Sequence, residues 1–259
     1  RFQTWADAST SIHCPRSAGP CSRSNCPRHA TCSGDALLAF NDRVAVIDDN
    51  EDGRDTIIDE LGDHNYKGVA ITGRYGSDMQ RLLNEIEAQD PGFVICDHRL
   101  TAQQFASFNG LQVVEALIAR KRPAMLLTTF QDPERVTLRA ARSRVPVIRG
   151  RDGFRIEEIA HLRDLIQLEI DDKPVASRKP HQVLLRVEEV RPQEIDVVVP
   201  SWRRDHALVV PRSLLGPNVR SVVKRGDYLL GDVNIGAGHE DELFFANLNE
   251  IVPPAKDLT

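Results

Sequence analysis

Along the first two thirds of the chain, short uninterrupted apolar runs alternate with stretches whose apolar positions recur every three or four residues. The runs are residues 44–47, 68–72, 93–96, 125–127 and 145–148. A continuous apolar run bounded by polar residues predicts a strand buried on both faces, as in a parallel sheet. Between the runs, Ile57, Ile58 and Leu61, then Met79, Leu82, Leu83 and Ile86, then Leu111, Val114, Leu117 and Ile118 mark helical faces. Pro91-Gly92 stops the second helix, and the third ends before Pro123. Asp132-Pro133 offers a cap and a first-turn proline to a fourth helix reaching Arg144, and Ile156, Ile159, Leu162, Ile166 and Ile170 line a fifth. Five strand–helix units in succession predict an α/β domain over 42–171, with a five-stranded, doubly wound parallel sheet covered on both faces. Pro146 inside the last run assigns that strand to an edge.

The pattern changes after residue 171. Residues 172–180 are short and polar and read as a linker. From 181 to 259, the segments 183–190, 195–199, 207–210, 221–223, 228–233 and 243–245 read as short strands broken by Pro and Gly. That spacing predicts a small mostly-β domain, a barrel or sandwich, and residues 207–215 and 222–233 resemble small β-barrels of the OB or SH3-like type. Lys224-Arg225-Gly226-Asp227 reads as a hairpin turn within it. Residues 1–41 are rich in Ser, Pro, Arg and Cys and have few branched apolar residues, so they read as a poorly ordered leader. Cys14, Cys21, Cys26 and Cys32 fall there without the C-x2-C knuckles of strong zinc sites. Cys96, inside the third strand, reads as a small core residue.

Composition narrows the class. With 33 Lys and Arg against 38 Asp and Glu, the net charge of −5 gives no global attraction to polyanions. The segment from His181 onward holds nine Lys or Arg against twelve Asp or Glu, so nucleic acid is not an expected partner. Trp202-Arg203-Arg204 is the one place where a local basic, aromatic patch would allow it. No apolar stretch approaches a membrane span and residues 1–40 lack a signal-like apolar region, so the expected location is the cytoplasm, away from membranes. There is no Walker A loop, GxSxG or HExxH, and no enzyme is expected.

The chemistry concentrates where strands end. Asp48-Asp49 follows the first strand, Asp97 the third and Thr128 the fourth. In an open parallel sheet ligands bind outside the carboxyl ends of the strands, so these side chains are expected to converge. A carboxylate can accept a phosphoryl group if a hard divalent ion neutralises the developing charge. Asp48, Asp49 and Asp97, with the backbone carbonyl of Arg99, are the expected ligands of Mg²⁺. Thr128 is placed to donate to a phosphoryl oxygen, and a cation from the fifth strand, Arg149, completes the set.

In this order the residues resemble the flavodoxin-like, CheY-like receiver domain of two-component response regulators. Asp48 and Asp49 match the acidic pair, Asp97 the phosphoacceptor and Thr128 the hydroxyl residue, and Asn109-Gly110-Leu111 resembles the start of the third helix. The resemblance spans 42–170, about half the chain. It implies signal transduction by Mg²⁺-dependent phosphorylation of Asp97 from a histidine kinase or phosphotransfer protein, with homodimerisation as a family expectation. It also implies a switch of the β-rich output module, which has no helix-turn-helix signature. Two departures stand out. Arg149 occupies the place of the family's Lys, and Pro146 that of its aromatic residue three positions earlier. Residues 101–108 also lengthen the loop beside Asp97. The alternative class is a phosphate-independent receiver acting as a protein–protein adaptor.

Overall fold

The computed structural model describes residues 41–129 and 132–253, with side chains of 132–136 outside the description. The leader and its four cysteines lie outside the described residues. The described residues belong to one compact unit containing two five-stranded sheets.

The first sheet is entirely parallel. Its strands are β1 (Arg43–Ile47), β2 (Lys67–Ile71), β3 (Phe93–Asp97), β4 (Ala124–Thr128) and β5 (Ile148–Gly150), in the order β2-β1-β3-β4-β5. This is the flavodoxin-like order, whose direction of winding reverses between β1 and β3. The apolar runs alternate strictly between faces. Ala45, Ile47, Val94, Cys96, Ala124 and Leu126 pack with α2 (Met79–Gln89), α3 (Gly110–Ala119) and α4 (Asp132–Ala141). Val44, Val46, Phe93, Ile95, Met125 and Leu127 pack on the opposite face with α1 (Glu51–Asp63) and α5 (Ile159–Ile170). Both faces are covered, which is why these strands carry no polar alternation.

The fifth strand departs from its sequence reading. It begins at Ile148 rather than 145, because Pro146 lacks the N–H that a ladder requires and restrains the residue before it. Val145 and Val147 are buried ahead of the strand instead. The final helical stretch is also divided. Ile156–Glu158 forms a 3₁₀ turn before α5 begins.

The second sheet is antiparallel: β6 (His181–Val190), β7 (Glu194–Val199), β8 (Arg203–Pro211), β9 (Tyr228–Val233) and β10 (Phe245–Val252), ordered β10-β9-β6-β7-β8. It makes a small mostly-β half with its own apolar core around Leu185, Val197, Leu229 and Phe245. The strand expected at 221–223 does not form. Pro217 at the first helical position starts α6 (Pro217–Arg220), and Val219 and Val223, four residues apart, share its buried face while Val222 is exposed. The turn at 224–227 therefore feeds β9 from a helical turn rather than joining two strands; the Asp227 carboxylate accepts from the Lys224 amide at 2.9 Å. The last strand starts where 243–245 was expected to end.

The connection between the halves is tied down. Arg178 is buried, donates to both oxygens of Glu169 at 2.5 and 3.0 Å and to the Arg142 carbonyl at 2.9 Å, and stacks 4.8 Å from the centre of the Phe244 ring. Asn234 is fully buried; its amide donates to the carbonyls of Ser177 and Glu242, and its oxygen accepts from the Phe244 amide at 2.7 Å. From α4, Arg139 donates to the Val209 carbonyl on β8 at 2.6 Å, covering part of an edge strand. No helix among the described residues is long and apolar enough to cross a membrane.

Asn234→Ala leaves three backbone groups without their partner inside the protein. An unsatisfied buried group costs about 1–3 kcal/mol. Urea unfolding is expected to show a loss of about 3 kcal/mol or more; a loss within experimental error would mean these contacts do not hold the connection.

Candidate functional site

At the carboxyl edge of the parallel sheet, Asp48, Asp49 and Asp97 each present an oxygen, and the three oxygens lie within 4.8 Å of one another. Local chemistry sets each position. Asp48 directly follows β1 and is 2 % exposed; its Oδ1 accepts from the Asn50 amide at 2.9 Å. Asn50 in turn caps α1 by accepting from the Gly53 amide at 3.1 Å. Asp97 ends β3, and its Oδ2 accepts from the Arg99 amide at 2.8 Å. Asp49 faces the loop after β3 and accepts from the Ala102 amide at 2.5 Å.

That loop is packed. Phe105 and Phe108 are buried, Phe105 meets Tyr75 edge-on at 5.2 Å, and Ala106 bridges to Gly76. Residues 101–108 thereby lie beside the acidic cluster, held through Asp49. On the other side, Gly110 at the start of α3 presses against the end of β3. A Cβ there would fall 1.8 Å from the Asp97 carbonyl oxygen, so only glycine lets α3 approach Asp97 this closely. Asn109 and Gln112 close a capping box around that helix start.

The cation in the site is Arg151. Its Nη2 donates to Asp48 Oδ2 at 2.5 Å and to Asp97 Oδ1 at 2.6 Å, and its Nε reaches Asp97 Oδ1 at 3.2 Å. Gly53 leaves it room: a Cβ at that position would stand 3.3 Å from Asp48 Oδ2 and 3.4 Å from Arg151 Nη1. Arg149, the cation that sequence reading assigns here, is placed elsewhere. It is the register partner of Leu127, which is the register partner of Asp97. Two strand spacings, roughly 10 Å, and the Leu127 side chain separate Arg149 from that carboxylate. Arg151 lies past the end of β5, in a 3₁₀ turn, and reaches both carboxylates at the sheet edge. The missed signal was Pro146, which shifts the strand and so moves the edge cation by two residues.

Thr128 is buried as the last residue of β4, one beyond Leu127, and pairs with Gly150. Cys96 is buried under the site. Its thiol points to the carbonyls of Asp97 and Gly110, and burial, with the charges of Asp97 and Asp48, pushes its pKa well up, as befits a core residue.

Burial likewise raises the Asp97 carboxyl, with Asp48 adding to the effect. Hydrogen bonds from Arg151 and the Arg99 amide offset part of it. Burial works against the Arg151 charge, but its hydrogen bonds to Asp48 and Asp97 prevail and hold it protonated. The site is a partly neutralised acidic cluster: three carboxylates with one guanidinium among them. Three hard oxygen donors around a small space suit a divalent cation with a preference for oxygen, so the residues present fit a metal ion.

Trp202, the aromatic of the basic stretch in the β half, is half-buried. Its indole donates to the Ala237 carbonyl at 2.9 Å, and Arg203 stacks 4.4 Å from its ring centre. Two of the residues that would make a stacking platform are thus occupied with each other.

No protein-family model matches the chain, and no curated protein does. Solved structures do. The receiver domain of NtrX from Brucella abortus is 16 % identical, covering 48 % of this chain and 97 % of its own, with a TM-score of 0.37. The chemotaxis protein CheY4 of Vibrio cholerae is 18 % identical over 48 % of this chain and 97 % of its own, with a TM-score of 0.35. The response regulator TrrA of Thermotoga maritima, solved with Mg²⁺ and BeF, is 18 % identical over the same shares of both chains, with a TM-score of 0.36. These likenesses speak to fold alone. The parallel-sheet half has the flavodoxin-like strand order β2-β1-β3-β4-β5.

A raised carboxyl pKa has a defined sign in stability. The native protein keeps the Asp97 proton to higher pH than the unfolded chain. Its contribution is therefore present below the ordinary carboxylate range and lost as pH rises through the raised value. Measured in chelator by urea unfolding, the stability of Asp97→Asn minus that of the native protein is expected to increase from pH 4 to pH 7. A difference that does not change with pH would contradict the burial assigned to Asp97.

Proposed function

We propose that this protein is a response-regulator-like switch, phosphorylated on Asp97 in a Mg²⁺-dependent reaction and read out through its β-rich half. The observation that carries the reading is the convergence of Asp48, Asp49 and Asp97 at the sheet edge, with a guanidinium already on the acceptor. In this reading an Asp97 carboxylate oxygen attacks the phosphorus of the donor, a phosphohistidine or a small acyl phosphate. The new O–P bond forms as the donor's N–P or O–P bond breaks, and the donor leaves with that electron pair. Asp48, Asp49, Asp97 and the Arg99 carbonyl would hold Mg²⁺, which would supply neutralisation of charge on the transferring group. Arg151 exchanges Asp97 Oδ1 for a phosphoryl oxygen, to which its planar fork can donate two hydrogen bonds. The Thr128 hydroxyl donates to another oxygen. The donor is a histidine kinase or phosphotransfer protein, and the protein itself supplies positioning and electrostatics rather than turnover.

The output path runs through contacts already formed. Arg139 of α4 holds β8, and Arg178 and Asn234 lock the connection. A change at the end of β4 and β5 alters what α4 and β5 present to the β half, shifting a two-state equilibrium.

A second reading has its own observation. Arg151 bridges Asp48 and Asp97 by itself, as in a receiver-fold adaptor that binds partners without phosphate. Incubation with acetyl phosphate and Mg²⁺, read by intact mass, separates the two. One added phosphoryl group in the native protein, lost in Asp97→Asn and in chelator, is the expected result. No addition, with acetyl phosphate or with kinases, would leave the adaptor reading.

A further inference from the structure

On the far side of β5 from the acidic pocket's edge lies a cavity of about 70 Å³, lined by Arg142, Arg149 and Arg178 together with Leu165, Ser177 and Glu242. It sits where the two halves meet. Arg142 follows α4, Arg149 is on β5, Leu165 is on α5, Arg178 is in the connection and Glu242 is in the loop between β9 and β10. Three guanidinium groups and one carboxylate converge there.

Their partners are unequal. The charge of Arg178 is matched by Glu169 through two hydrogen bonds. Arg142 is 6 % exposed, yet its guanidinium makes no hydrogen bond or ion pair among the described residues, and neither does that of Arg149. Burial, then the like charges of Arg178 and Arg139, bring the Arg142 pKa down to about 10, with Asp241 and Glu242 acting the other way. Charged groups this far from solvent are ordinarily paired. Asp241 and Glu242 bring negative charge toward Arg142 without a hydrogen bond or ion pair to it, so its guanidinium donors and those of Arg149 stay open to a ligand.

We infer that this junction cavity is a binding site for a small oxyanion, held by Arg142 and Arg149. Guanidinium forks match the oxygens of phosphate, sulfate or a carboxylate bidentately, and a cavity of this size holds one such group. The site is made by both halves, so the anion binds best when they are docked. Its strand is also the one that carries Arg151 to Asp48 and Asp97 two residues later. An anion here adds a second input to the same element, and the inference does not depend on whether Asp97 is phosphorylated.

The test is isothermal titration calorimetry and thermal unfolding of the full chain with inorganic phosphate. Ionic strength is held constant with chloride, and chelator keeps the acidic pocket free of metal. Parallel arms use sulfate and acetate. The native protein is expected to bind one oxyanion and to unfold at a higher temperature than in matched chloride. Binding to phosphate and sulfate assigns a tetrahedral anion, and binding to acetate a carboxylate. Arg149→Gln, at a half-exposed position where no bond is lost, is expected to weaken binding about tenfold, and Glu242→Gln to strengthen it. Circular dichroism confirms that both variants fold. No response beyond chloride in any arm would overturn the inference, as would a response that Arg149→Gln leaves unchanged.

Discussion

Two carboxylates buried side by side at a sheet edge repel each other and lose hydration, and the guanidinium of Arg151 is what makes the arrangement tolerable. It spans Asp48 and Asp97 with hydrogen bonds of 2.5 and 2.6 Å while remaining about a quarter exposed itself. Other features serve that bridge. β1 and β3 deliver the carboxylates, Gly53 leaves space for the fork, Gly110 lets α3 close over the end of β3, and the 3₁₀ turn after β5 brings Arg151 to both carboxylates. The same bridge defines what the site can do. A cation that rests on Asp97 stabilises the ground state, and in the proposed reaction a divalent ion would have to share or displace it before that carboxylate could react.

Much of this was legible in the sequence, because burial on both faces writes itself as uninterrupted apolar runs. The strands ending at Asp48, Asp97 and Thr128 appear within a residue or two of their positions, and the parallel order follows from five strand–helix units. The acidic cluster is legible for the same reason: residues at the ends of adjacent strands have to meet. The fifth strand was not legible, since Val145 and Val147 look like strand and are buried as such residues should be, while Pro146 denies them the ladder. With the strand set three residues early, Arg149 took the place that belongs to Arg151. In the β half, Val222 and Val223 read as strand, but Pro217 had already begun a helix.

The docking of the two halves was invisible at that level, for a different reason. Arg178, Asn234 and Arg139 act through single polar bonds to backbone groups distant in sequence, and such bonds leave no periodic trace. A polar nine-residue stretch suggests a free linker. Here it is clamped by a buried amide on one side and a buried arginine pair on the other. The consequence is mechanical. With the β half held against α4, β5 and α5, a change at the carboxyl edge of the sheet meets a packed junction rather than a tether, which is the condition for a bistable response.

The central claim is that Arg151 holds the place a divalent ion would take, and calorimetric titration of Mg²⁺ into the native protein and into Arg151→Ala tests it most directly. Removing a positive charge hydrogen-bonded to two of the three carboxylates is expected to raise Mg²⁺ affinity about tenfold. Equal or weaker binding by Arg151→Ala would show that the guanidinium and the metal do not compete for the same carboxylates.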